Sequence, residues 1–170
     1  MATSLRKLTL GVHLTFSGGW IGSAGAYLAL GIVAVTAEDV QTVRVVWAAM
    51  ELIGWYVIVP LALASLLTGL FMALMSRWGL FRHYWVVFSL VLTAFATVIL
   101  LLHMPAVSEM ADLAQRAEGP TLDSLGGDLF HSGIGLALLL VIQGLNVYKP
   151  RGLTRYGWRK QQKHNMTLMP

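Results

Sequence analysis

Cysteine is missing from the 170-residue chain. Disulfides and thiolate ligands are therefore excluded, and any metal has to be held by His, Asp, Glu or Met. Charge is scarce as well. Asp, Glu, Lys and Arg make up 12% of the residues, against about a quarter in a soluble domain. With 56% hydrophobic residues, the composition is that of an integral membrane protein. No phosphate-cradling glycine loop, nucleophile elbow or zinc-protease motif is present. No nucleic acid is expected as a partner.

What the chain does have is long apolar runs. Residues 8–35 contain no acid, lysine or arginine, yet carry His13. Arg6 and Lys7 before the run and Ala24-Gly25-Ala26 within it imitate a signal peptide. The run is longer than a signal core, so it is expected to remain as a span. Further spans are expected over residues 47–75, 84–104 and 125–148, each long enough to cross roughly 30 Å of hydrocarbon. The fold class is all-α, an integral membrane four-helix bundle. Connections are expected at 36–46, 76–83 and 105–124, the last a polar loop with Gly119-Pro120. Gly126-Gly127 reads as the entry to the fourth helix, and 149–170 as a basic tail.

Charge of one sign is also unevenly absent. Every acid (Glu38, Asp39, Glu51, Glu109, Asp112, Glu118, Asp123, Asp128) lies towards one side of the expected membrane. The other side has Arg6, Lys7, Arg77, Arg82 and the six cations of the tail; only Arg44 and Arg116 fall among the acids. The positive-inside rule then places both termini in the cytoplasm, as in a protein of the cell inner membrane. Trp78, Tyr84, Trp85, Tyr148, Tyr156 and Trp158 suit an aromatic belt on the cytoplasmic side. The tail reads as an orientation signal with interfacial anchors, and less well as an arm for anionic lipid or nucleic acid.

A helix satisfies its own backbone in hydrocarbon, so the informative residues are the polar side chains at depth. In the first span His13, Ser17, Trp20, Ala24 and Tyr27 share a face. Gly18, Gly22, Gly25 and Ala29 form a second, smooth face fit for close helix approach, either by another copy or by a larger membrane complex. The other spans place Glu51 with Trp55 and Ser65, Arg82 with Ser89 and His103, and Asp128 with His131 on single stripes. Each helix thus offers one polar or small stripe to a bundle interior. By depth these groups split in two. An outer site would combine His103, His131 and Glu51, with Asp128 orienting the His131 ring. An inner site would hold His13, with His83 as a second ligand and Arg82, Arg6 and Lys7 for acidic groups such as haem propionates. His13 and His131 are expected roughly 15–20 Å apart along the normal, too far to share one iron. Pro60 is expected to kink the second helix, and Trp20 and Trp55 to pack or to line a flat cofactor. His164 in the tail is given no role.

His13 followed at seven residues by Trp20 and small residues, with Pro60 and Gly69 in PLALASLLTG and a histidine near the end of the third span, resembles a known group. It is similar to the four-span protoporphyrinogen oxidases and the copper-resistance D-like membrane proteins, and most of all to an uncharacterised integral membrane family allied to them. The resemblance implies a b-type haem or a copper-related role and raises His13 as a haem ligand. The oxidases carry a functional lysine in the third span. Here Arg82 and Ser89 lie near that place, and arginine neither ligates iron nor acts as a base. Three expectations follow: a b-type haem protein for electron transfer or redox chemistry, with His13, His103, His131, Trp20, Arg82 and His83 around the cofactor; a copper or zinc binding or transport protein using His13, His103, His131 and Glu51; or an accessory subunit without a cofactor.

Overall fold

The computed structural model describes residues 3–75, 80–116, 128–150 and 152–167. Arg77 and Trp78, residues 117–127 with Gly119-Pro120 and Gly126-Gly127, Arg151 and the side chain of His164 lie outside the described residues. Four helices are long and apolar enough to cross a membrane: α1 (Ser4–Thr36, its first turn starting at Thr3), α2 (Val40–Met75), α3 (Tyr84–Arg116) and α4 (Leu129–Tyr148). A fifth, α5 (Arg155–Thr167), is short and polar. No strand occurs among the described residues beyond an isolated bridge between His83 and Leu153. The all-α four-helix class expected from the sequence is what is observed. α1 packs on α2, α2 on α3, α3 on α4, and α4 closes the ring on α1.

Two connections are tighter than hydropathy suggested. The link from α1 to α2 is only residues 37–39. Asp39 caps α2 by accepting from the Thr42 N–H at 2.8 Å. Hydrogen bonds from Thr42 hold the Asp39 carboxyl below the usual carboxylate range. The third helix does not stop before Pro105; it continues to Arg116, with the proline inside it. Hydropathy marks where a helix leaves lipid, and a helix is free to continue into water. Pro60 does not stand alone as a kink either. The turn just before it, Gly54–Ile58, is a π-helix in which the Val59 N–H reaches back to the Gly54 carbonyl. A widened turn accommodates the hydrogen bond that proline cannot donate.

The helices differ in length, and this divides the bundle. α4 has 20 residues, roughly 30 Å, the thickness of a hydrocarbon core. It starts at the level of Tyr27, Gly54 and Met104, which meet one another. Past that level α1, α2 and α3 continue without it for roughly 13–21 Å. This distal three-helix extension contains the tightest part of the core: Trp47, Met50, Met104 and Val107 are fully buried, and Ala111 and Ala114 pack beside them. Polar bonds tie it as well. Arg44 Nε donates to the Ala114 carbonyl, Gln115 Nε2 to the Arg44 carbonyl, and Trp55 Nε1 to Ser108 Oγ. Below it, Leu63, Leu67, Phe71, Phe88, Val91, Phe95 and Leu140 point outward. So broad an apolar exterior is stable only against lipid.

At the opposite, terminal end the tail is docked rather than trailing. The Tyr84 N–H donates to the Gly152 carbonyl, the Thr154 N–H to the Arg82 carbonyl, and the Thr154 hydroxyl to the Phe81 carbonyl. Gly157 of α5 lies against the Arg82 backbone, where a Cβ would not fit.

Candidate metal centre

The distal polar group is built on Asp128, the residue that starts α4. Its backbone is left-handed, φ 51°, ψ 32°, a conformation that Asp tolerates better than most residues. An aspartate at a helix start commonly caps it. This one makes no side-chain cap. Its carbonyl instead accepts the Ser132 hydroxyl at 2.7 Å and N–H at 3.2 Å, and its carboxylate turns into the bundle.

Three side chains from three helices converge on that carboxylate. His103 Nε2 of α3 donates to Oδ2 at 2.8 Å, the Tyr27 hydroxyl of α1 donates to the same oxygen at 3.2 Å, and His131 Nδ1 of α4 donates to Oδ1 at 3.1 Å. The two imidazoles stack, with centroids 4.0 Å apart and planes 22° from parallel. One ligand atom from each of His103, Asp128 and His131 lies within 4.8 Å of the others. The Asp128 side chain is 9% exposed and that of His131 52%. The centre is therefore anchored inside the bundle and approachable from its edge. Two imidazoles and a carboxylate are donors suited to zinc or copper(II).

The expected outer site is partly reproduced. His103 and His131 come together, but the carboxylate between them is Asp128, not Glu51. Among the described residues Glu51 is not in the group; α2 presents it one turn further out, and its backbone carbonyl accepts from the Gly54 N–H. Helical spacing gives Asp128 only the orienting of His131 and puts Tyr27 merely on the His13 face. Their partnership spans 101 residues of sequence, and helical spacing alone cannot show such a contact. The signal that was available is the acid itself, sitting where the apolar run begins.

The expected inner site is arranged differently. His13 Nδ1 bonds Thr68 Oγ1 at 2.9 Å, and Thr68 Oγ1 donates to the Ala64 carbonyl at 2.7 Å. The His13 ring lies on Gly69, whose Cβ, were there one, would be 3.1 Å from Cε1. His13 is thus seated in the α1–α2 seam. Fourteen residues of α1 separate it from Tyr27, roughly 21 Å. His83 belongs to the connection before α3 and pairs its backbone with Leu153; the level of Thr68 is seven residues short of the end of α2, roughly 10 Å away. Arg82 contributes its carbonyl to the α5 junction. Trp20 is 4% exposed and faces a cavity between α1, α3 and α4. Gly18, Gly22 and Gly25 have no neighbour within 4 Å of a would-be Cβ, so the smooth face of α1 points away from the bundle.

No curated protein and no solved structure matches the chain. Residues 9–150, which take in every helix of the bundle, match the family described as predicted integral membrane protein (DUF2269), and the chain belongs to that family.

Proposed function

We propose that this protein binds one divalent metal ion, zinc or copper(II), through His103, Asp128 and His131. The observation that supports the reading is the convergence of those three side chains from two helices on one point. Donor atoms around a tetrahedral zinc stand roughly 3.3 Å apart, so the group needs only a small contraction. The Tyr27 hydroxyl on Asp128 would hold the carboxylate in orientation. Three protein donors leave a coordination position open, as in sites that exchange or activate a ligand.

A b-type haem has less support from the geometry. The stacked imidazoles, 4.0 Å apart, leave no room for a porphyrin between them. The adjoining cavity is about 180 Å³, close to the about 150 Å³ that accommodates a single benzene ring. His13, the ligand that the resemblance implies, has Thr68 and Gly69 around its ring instead. The contact between His13 and Gly69 does join two of the residues that carry the resemblance, and kinship with the oxidase and copper-resistance D-like group is retained on that basis. A Soret band in the purified protein would restore the haem reading.

Both termini are assigned to the cytoplasm of a cell inner membrane by the cation bias of the terminal end. The metal centre then faces outward. The outward smooth face of α1 suits a second copy of the chain or a larger complex. The test of function is electron paramagnetic resonance of the copper(II)-loaded protein. Splitting from two imidazole nitrogens is expected in the wild type and from one in His131→Ala. A spectrum unchanged by that substitution would overturn the proposal.

A further inference from the structure

The cavity between α1, α3 and α4 has the metal-centre side chains at one end and is otherwise apolar. Trp20 and Leu139 form its buried wall, while Phe95, Phe130 and Ile134 line it and are more than half exposed. A wall that is both lining and exposed is a rim, so the cavity opens sideways, between α3 and α4, at the lipid-facing surface. Gly135 lines it too, and a Cβ there would meet nothing within 4 Å.

We propose that this cavity binds a neutral, membrane-dissolved quinone or quinol of one ring. The ring fills the cavity, its oxygen meets the polar end, and its tail leaves between α3 and α4 into the bilayer. Four observations converge on that class. At about 180 Å³ the space exceeds the about 150 Å³ that takes benzene by only a few substituent atoms. Trp20 and Phe95 offer aromatic surface to a flat ring. The polar end has partners for either form: the imidazole nitrogens turned away from Asp128 and the carboxylate oxygens accept from a quinol hydroxyl, and a quinone carbonyl is met by an N–H that turns from Asp128 to the ligand. The same carboxylate disfavours an anionic head such as that of a fatty acid or a phospholipid. The lateral opening admits a ligand from lipid. The site shares side chains with the metal centre but does not depend on an ion being present.

The experiment is equilibrium binding of a decyl-benzoquinone to the full chain in lipid nanodiscs, with zinc binding measured on the same samples. Saturable binding at one quinone per chain is expected. Gly135→Leu places a side chain in open space, so it should weaken quinone binding by about tenfold or more while zinc binding persists. If Gly135→Leu loses zinc as well, Ala24→Leu, which fills the cavity from α1, is judged by the same criterion. Absence of saturable binding, undiminished binding in the filled variant, or equal displacement by decanol would overturn the proposal. Quinone binding without zinc binding would sink the metal reading and leave this one standing; zinc binding without quinone binding would do the reverse.

Discussion

His13 and Asp128 are both polar residues in an apolar bundle, and they end in opposite situations. His13 has one hydroxyl partner, and its ring abuts a glycine. Asp128 gathers an imidazole from each of two helices and a phenol from a third. The first arrangement is closed: a ring nitrogen is mated to Thr68, and Gly69 leaves the ring little more room than it takes. The second is open: several donors share one carboxylate beside a cavity. Polarity at depth is thus not enough to mark a site. What distinguishes a site is convergence with room left over.

The largest effect that would sharpen this contrast is on metal affinity. Asp128→Asn keeps the left-handed backbone acceptable and removes the charge; it should weaken zinc binding by roughly a hundredfold or more, as should His131→Ala. His13→Ala should leave zinc binding unchanged. Isothermal titration of the three variants checks both statements, and a loss in His13→Ala would break the distinction.

Next in size are packing changes, where the distal core should be the stiffer region. A Cβ at Gly54 would be 2.5 Å from Met104 Cε, a methyl that is buried beside Tyr27 and has little freedom to retreat. Gly54→Ala should cost about 1–3 kcal/mol, read as a fall in thermal midpoint. In the His13 seam the numbers are smaller. His13→Ala should cost about 0.6 kcal/mol, the average for a hydrogen bond between membrane helices. Gly69→Ala should destabilise the wild type but not the His13→Ala background, a coupling that a double-mutant cycle measures. The smallest change is expected at Ser89, a buried hydroxyl without a partner among the described residues. Ser89→Ala should be neutral or stabilise by up to about 1 kcal/mol.

The architecture was largely legible because lipid imposes it. Runs without charge must become helices, and their number and order follow. The start of α2 and the end of α3 were not legible, since Val40–Trp47 and Pro105–Arg116 are helical without being strongly apolar, and there hydropathy carries little information. His103 and His131 lie together, as their shared depth along the spans suggests, because depth is a count of residues. Their third partner was not legible. Choosing Asp128 over Glu51 depends on how α4 is rotated against α3, and rotation is decided by packing that the chain order does not encode locally. Thr68 escaped notice for the same reason: a threonine in a span is ordinary until the helix beside it places a histidine on it.

The central claim is that the distal cluster is a metal site and the His13 seam is not. Elemental analysis of protein dialysed against zinc and then against buffer tests it directly. The account predicts close to one zinc per chain in the wild type and in His13→Ala, and almost none in Asp128→Asn. Equal zinc in all three, or none in the wild type, would contradict it.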